Sequence, residues 1–386
     1  MKIAFIYDVI YPYVKGGIEK RVWELAKRLS RRGHEVHLFG MKFWDGDDIL
    51  IREGVFLHGV CRPQKLYSGS RRSIRQALYF GISLISPLLK ERFDILDCQE
   101  FPYFSCFVAK FLSKLKKIPL VITWHEVWRD YWYEYLGWYG FAGIYTERLV
   151  ARLTTKNVAV SKTTAKNLEF LGKHEEIKII PNGVDFQNFS SIPPSDSISD
   201  IIFVGRLIKE KHVDLLIHAF RVLLLEQPNR ILMIVGDGPE WDTITTLIND
   251  SCLETRVQLI GFQERHDEII ARMKSSKICV LPSTREGFGI TALEALACGL
   301  PVVTVNHPAN AIHDLITESN GFLCALSAED LADKISLALG HHSEMRNACI
   351  MSAASFDWDR ITLDTESYYH AVIADQKSMV NQLQDR

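Results

Sequence analysis

Short runs of aliphatic and β-branched residues alternate with segments of helical apolar spacing along almost the whole chain. That alternation is the pattern of parallel sheets flanked by helices, and it predicts an α/β protein. In the first half, strands are predicted at Lys2–Tyr7, Glu35–Phe39, Asp94–Cys98, Leu120–Thr123, Asn157–Val160 and Lys178–Ile180. Between the first two, Val22, Leu25, Ala26 and Leu29 share one face of a helix over Ile18–Arg31, which Arg32-Gly33 stops. This is a βαβ unit, right-handed by the usual rule. The pattern restarts at Ile201–Val204, Ile231–Val235, Val257–Ile260, Ile278–Leu281 and Pro301–Val305. Separating the halves, Ser190-Ser191-Ile192-Pro193-Pro194-Ser195-Asp196-Ser197 reads as an unpacked linker. Two doubly wound, Rossmann-like domains are therefore expected, 1–185 and 186–364, facing across a cleft and binding ligands beyond the carboxyl ends of their strands.

Composition narrows the class. Apolar residues make up 47% and charged residues 24%, which excludes a largely disordered or fibrous chain. A net charge of -2 argues against a nucleic-acid partner. Residues 1–183 nevertheless carry 29 basic and 19 acidic side chains, against 16 and 28 in the remainder. The first half thus favours an anionic partner. The eight cysteines form no CxxC pair or Cys/His cluster, so they read as reduced packing residues in a cytoplasmic protein, with no metal site expected. Ile3–Tyr7, cut off by Asp8, is too short for a signal peptide. The apolar stretch Gln76–Leu89 is short of the roughly 18 residues of a spanning helix and contains Pro87. A cytoplasmic protein, or one lying peripherally on the inner face of the cell membrane, is the expectation.

Candidate chemistry lies at strand ends. After Ile278–Leu281 comes a glycine-containing loop and a helix stopped by Gly299 and Pro301. Backbone donors at Phe288, Gly289, Ile290 and Thr291 form a natural seat for a diphosphate. Carboxylates cannot bind phosphate, so Glu286 in the loop and Glu294 in the helix point to the hydroxyls of sugars bonded to the two ends of that diphosphate. The plain alternative is a strand–helix junction with two surface glutamates. Gly205-Arg206-Leu207-Ile208-Lys209-Glu210-Lys211 follows the first strand of the second half. Gly16-Gly17 opens the first helix, where glycines let amides approach a ligand. His125 ends the strand Leu120–Thr123. Gly236-Asp237-Gly238 is not a dinucleotide fingerprint, because Trp241 stands where its third glycine is required. Gly261-Phe262 ends the strand Val257–Ile260.

These motifs, in this order and over nearly the whole chain, resemble the retaining glycosyltransferases of family four, which have the GT-B architecture. The resemblance rests chiefly on Glu286 and Glu294 as the family's Glu-x7-Glu motif. It implies that Glu286 holds the donor sugar near the reacting carbon and that Glu294 holds the ribose of the nucleotide. Arg206 and Lys211 would clamp the diphosphate, meeting the charge of the departing group without a metal. Gly16 and Gly17 would lie beside the donor phosphate or the acceptor, and His125 would contact the donor sugar. Gly236, Asp237 and Gly238 would line the nucleotide pocket, and main-chain groups at Gly261-Phe262 would hold the base. The segment after Phe356-Asp357-Trp358, about 365–386, resembles one that crosses back onto the first domain. Three positions depart from the pattern: His212 replaces a usual glycine, Glu126 a frequent aspartate, and Val305 to Asp314 a Gly-Gly turn followed by glutamate.

The implied activity is a metal-independent, cofactor-free hexosyl transfer from a nucleoside-diphosphate sugar to a glycan or lipid-linked hydroxyl, with retention. A double displacement would need a nucleophilic carboxylate, and the sequence singles out none. The alternatives are a sugar-nucleotide epimerase or hydrolase of the same fold, and a non-catalytic sugar-nucleotide-binding protein. From Trp128 to Tyr145 nine of eighteen residues are aromatic, against 11% overall. Interleaved with Arg129, Asp130, Glu134 and Glu147, they predict an exposed wall. With Lys110, Lys114, Lys116 and Lys117 nearby, the first domain is expected to dock on an anionic membrane. A stacking platform for a soluble acceptor beside a solvated basic face is the alternative.

Overall fold

The structure, a computed structural model, describes residues 1–68, 71–172 and 176–384. The chain divides into two compact units, Met1–Asn182 with Trp358–Arg386, and Gly183–Asp357.

Unit 1 opens with β1 (Lys2–Ile6), α1 (Gly17–Arg31), β2 (Glu35–Met41), β3 (Ile49–Arg52) and β4 (Val55–Cys61), then a small ribbon of β5 (Tyr67–Ser68) and β6 (Arg71–Arg72). It continues with α2 (Ile74–Ser83), α3 (Ile85–Lys90), β7 (Ile95–Gln99), α4 (Tyr103–Lys116), β8 (Leu120–Trp124), α5 (Tyr131–Leu136), α6 (Gly140–Ala151), β9 (Lys156–Ala159), α7 (Lys162–Glu169) and β10 (Glu176–Ile179). Eight strands form one sheet in the order β10-β9-β8-β7-β1-β2-β4-β3, parallel except for β3 against β4. Strand side chains alternate, so Ile3 and Phe5 pack on one face and Ala4 and Ile6 on the other. Both faces are covered, which is why β1 and β8 are largely apolar, while the polar Asp97 and Gln99 of β7 are buried and bonded to each other. The hairpin β3–β4 was not predicted. Glu53 and Gly54, both at positive φ (47° and 79°), make its tight turn, and β3 is an exposed edge with little apolar signal.

Unit 2 contains α8 (Phe186–Ser191), β11 (Ile201–Val204), α9 (Val213–Glu226), β12 (Leu232–Val235), α10 (Trp241–Asp250), β13 (Val257–Ile260), α11 (His266–Lys274), β14 (Ile278–Leu281), α12 (Ile290–Ala297), β15 (Val302–Val305), β16 (Gly321–Cys324) and α13 (Ala328–Ala354). Its sheet is all parallel, in the order β13-β12-β11-β14-β15-β16. The expected unpacked linker is overturned. Asp185 caps α8 through Asn188 N–H, and Phe189 and Ile192 are buried. Lys274 Nζ bonds the carbonyls of Phe189 and Ile192, and Ser195 N–H bonds Ala271 O at 3.0 Å. Two apolar anchors among the serines and prolines suffice to fix the segment on α11.

The last helix, α14 (Trp358–Gln384), belongs to unit 1. Trp358, Ile361, Tyr369 and Val372 join the core beneath α1, and the Tyr369 hydroxyl donates to buried Asp97. The last two positions of the segment expected to cross back, 385–386, lie outside the described residues.

Candidate active site

In unit 2 the chain order reverses between β11 and β14: β12 and β13 lie to one side, β15 and β16 to the other. Loops leaving such a pair diverge and leave a crevice at the strand carboxyl ends. Arg206 and Lys211 follow β11, and Glu286 follows β14. The structure brings Lys211 and Glu286 together as an ion pair, both side chains only 18% exposed. Ser283 Oγ donates to the same Glu286 oxygen at 3.1 Å.

The backbone around Glu286 is fixed from a segment not assigned to chemistry. Glu286 N–H donates to Ala309 O and Ala311 N–H donates to Glu286 O, both at 2.9 Å. That segment turns on buried Asn310, whose Nδ2 donates to Thr304 Oγ1 (2.9 Å) and Val305 O (2.8 Å). Ile312, two residues on, packs on Gly289, where a Cβ would come within 2.4 Å of its Cγ1. Gly289 also has φ +89°, so two constraints require glycine there. The departure from the family pattern over 305–314 thus shapes the site. No spacing signal marks Asn310, because its partners are local and polar.

At the other departure, His212 holds the left-handed conformation (φ 48°) that glycine would adopt freely, and its Nε2 meets Thr284 Oγ1 at 3.0 Å. The turn is retained with a histidine in it.

Helix α12 begins at Ile290, so the amides of Ile290, Thr291 and Ala292 precede its first internal bond, Leu293 N–H to Gly289 O. Ile290 and Thr291, two of the four residues expected to seat an anion, are thus among the amides that the helix leaves without an internal acceptor. The Phe288 ring is buried against Phe356, leaving that residue its main chain to offer. Glu294, buried in the second turn, meets His266 Nε2 at 3.1 Å. His266 opens α11 and was not foreseen. Gly236 and Gly238 serve packing: a Cβ would come 1.9 Å from Gly205 O and 2.3 Å from Leu207 O. Leu207 N–H bonds Asp237 O, and Gly236 N–H bonds Ile260 O, both at 2.9 Å. These bonds tie the loops bearing Arg206, Asp237 and Phe262 into one surface, on which the Phe262 side chain is exposed.

Unit 1 has its own reversal, between β1 and β7. Gly16 precedes α1, which Gly17 begins; a Cβ on Gly16 would come 2.5 Å from Glu19 Oε2. Burial pushes the Glu19 carboxyl up to about 7. His125 is buried, and Gln99 Oε1 accepts from its Nε2–H at 2.8 Å. Gln99 in turn donates to Asp97, which also accepts from Thr123. Burial, and secondarily Arg21, holds the His125 pKa well below the usual value, so the ring is neutral. Glu100, fully buried, accepts the amides of His125 and Glu126, and burial raises it to about 8. Asp8 receives Arg72 (2.7 Å) and Gln76 (2.9 Å). Asp8 and Glu100 were missed, although polar residues ending the apolar strands β1 and β7 are a readable signal.

The aromatic wall divides in two. Trp128, Trp132 and Tyr135 pack with Phe101 and Tyr103, and Gly143 leaves the space that Trp132 fills. Glu147, expected at a wet edge, is buried and accepts from Trp128 N–H, Arg129 N–H and the Tyr103 hydroxyl. This half is core. Trp138, 77% exposed, Tyr139, Phe141 and Tyr145 remain outside.

Among the described residues, two side-chain groups have ligand atoms close enough for a metal, His34/Glu366/His370 and His37/His58/Glu91. In the second, His58 and Glu35 already satisfy His37 (2.7 and 3.0 Å), and Lys2 occupies Glu91. Neither group includes a residue of the candidate site.

Comparison with known proteins gives two family matches, "Glycosyltransferase Family 4" over residues 15–188 and "Glycosyl transferases group 1" over 186–356. The chain is 30% identical to glycogen synthase of Mycobacterium tuberculosis, covering 96% of this chain and 95% of that protein. It is 25% identical to a human phosphatidylinositol N-acetylglucosaminyltransferase subunit, covering 96% of this chain and 76% of the relative. In fold it is similar to sucrose-phosphate synthase from Thermosynechococcus elongatus, with TM-score 0.79 at 20% identity over 97% and 99% of the two chains.

Proposed function

The chain belongs to glycosyltransferase family 4, with two GT-B-type α/β units, and from that premise we propose a retaining, metal-independent hexosyl transfer from a nucleoside-diphosphate sugar. The acceptor in this reading is a hydroxyl of a glycan or lipid-linked molecule. Phosphatidylinositol in the human relative's name favours the lipid-linked kind. The observation that carries the reading is the Lys211–Glu286 pair, a cation and a carboxylate on the segments that follow the two strands flanking the reversal of unit 2.

In the reaction the acceptor oxygen bonds to the anomeric carbon on the face from which the diphosphate departs. The bond from that carbon to the diphosphate oxygen breaks, its electron pair stays with the oxygen, and the oxygen takes the acceptor proton. Arg206, Lys211 and the first amides of α12 stabilise the charge that develops there. Glu286 holds sugar hydroxyls, Glu294 the ribose, and main-chain groups at Gly261-Phe262 the base. His125 offers its Nδ1 to a sugar hydroxyl, since its Nε2–H is given to Gln99.

The test is incubation with UDP-, GDP- and ADP-sugars, with and without acceptor, following nucleotide release and the anomeric configuration of the product. Acceptor-dependent release with retention, persisting in chelator, is expected. Glu286→Gln and Arg206→Ala should lose most turnover while melting normally, Arg206→Ala by about 2.7–4 kcal/mol of transition-state stabilisation. Free sugar or an epimer without acceptor would identify a hydrolase or epimerase, and binding without turnover a sugar-nucleotide-binding protein.

A further inference from the structure

At the amino ends of β8 and β9, opposite the carboxyl ends where sheets of this kind bind substrates, unit 1 contains a recess of about 470 Å³. Lys110, Lys114, Lys117, Arg152 and Lys156 line it with one acid, Asp375, which pairs with Lys156 at 2.7 Å. Among the described residues no other carboxylate lines it. Burial chiefly, and then the neighbouring Lys114, lowers the Lys110 pKa. Lys114 stands in the last turn of α4, where cations are common, while Lys116 is turned to the carbonyls of Leu88, Leu89 and Glu91 at the end of α3. Arg152 is the C-cap of α6 and Lys156 begins β9, so cations from three elements converge on the recess.

An apolar surface adjoins the cations. Phe104, Val108, Phe111 and Leu115 fall on one stripe of α4. Phe104 lies against Gly81 of α2, and further along the stripe Phe111 and Leu115 emerge, each 59% exposed. On α2, Ile74, Leu78 and Ile82 form a second exposed stripe, which Leu89 of α3 extends. Lys110 and Lys114 stand beside Phe111 and Leu115 on the outer side of α4.

We propose that this face of unit 1 binds a bilayer containing anionic phospholipid, with lipid phosphate in the Lys110/Lys114/Arg152 recess and Phe111, Leu115 and Ile82 in the acyl boundary. A soluble phosphate compound would satisfy the cations but leave both apolar stripes in water. An amphiphile satisfies both. Among the described residues no helix is long and apolar enough to cross a membrane, so the contact is peripheral. The inference uses none of the residues assigned to glycosyl transfer and stands apart from that reading.

Flotation of the full chain with phosphatidylcholine vesicles, with or without about one-third phosphatidylglycerol, tests it. Binding only to the anionic vesicles, weakening with salt, is expected. Each basic side chain near such a surface contributes roughly fivefold to partitioning, so K110Q/K114Q/R152Q should weaken binding on the order of a hundredfold. F111S/L115S should weaken it too, while leaving intact any stabilisation by inorganic phosphate in a melting assay. Absence of flotation at low salt overturns the proposal, as does equal binding to neutral vesicles. Phosphate stabilisation lost in K110Q/K114Q/R152Q but without vesicle binding would make the recess a site for free anions and also overturn it. If the charge variant melts early, Lys114→Gln alone replaces it, and undiminished binding by that variant counts against the recess.

Discussion

Glu286 is held from two directions: its carboxylate by Lys211 and Ser283, its backbone by the segment around Asn310. Losing the Asn310 amide would remove its bonds to Thr304 Oγ1 and Val305 O, which keep Leu281 O and His307 N–H as partners, at a cost of about 0.5–1.5 kcal/mol for each bond. Asn310→Ala should therefore lower the melting temperature and reduce turnover by displacing Glu286; unchanged turnover would refute this coupling. A second residue-scale effect concerns pH. The Glu100 carboxyl is raised by burial from the usual 4.5 to about 8. Between those values the folded chain holds a proton that the unfolded chain has released, so stability falls as pH rises. His58, lowered to about 4 chiefly by burial, works in the opposite sense: the unfolded chain takes up its proton below the usual 6.5, and stability is lost as pH falls toward 4. From about pH 6.5 to 8 the carboxyl effect dominates, Glu19 and Glu147 adding to it up to about 7. Stability, followed as the melting temperature, should fall over that range by up to about 1.4 kcal/mol per pH unit for each titrating group, and Glu100→Gln should flatten the fall.

Individual elements depend on long-range partners that their own sequences do not display. The short helix α3 ends in carbonyls bonded by Lys116 of α4, which reads in sequence as one of a run of surface lysines. Lys116→Ala should destabilise unit 1 by about 1.5–3 kcal/mol, whereas Lys114→Ala should leave its stability nearly unchanged; denaturant unfolding of both distinguishes them. Helices whose caps were written locally behave differently. Ser73, Ser161 and Ser327 accept the amides of Gln76, Thr164 and Asp330, three residues on, and these caps depend on the local chain alone.

Across the whole molecule, unit 1 is completed only by the end of the chain. Removing 358–386 would uncover the α1 face of its sheet and leave Asp97 without the Tyr369 hydroxyl. Such a truncation should unfold unit 1, seen as lost protease resistance of 1–182, while 183–357, continuous and with its own core, should fold alone. The sequence by itself determined the two parallel-sheet units, most strand positions, and Arg206, Lys211 and Glu286 as candidates, because strand periodicity and strand-end motifs are local. The pairing of Lys211 with Glu286, the support from Asn310, the packing of the Ser/Pro segment on α11, and the division of the aromatic run between core and surface were decided by tertiary structure. Each depends on contacts between residues far apart in the chain, and a side chain's exposure is fixed only when its neighbours from other elements have taken their places.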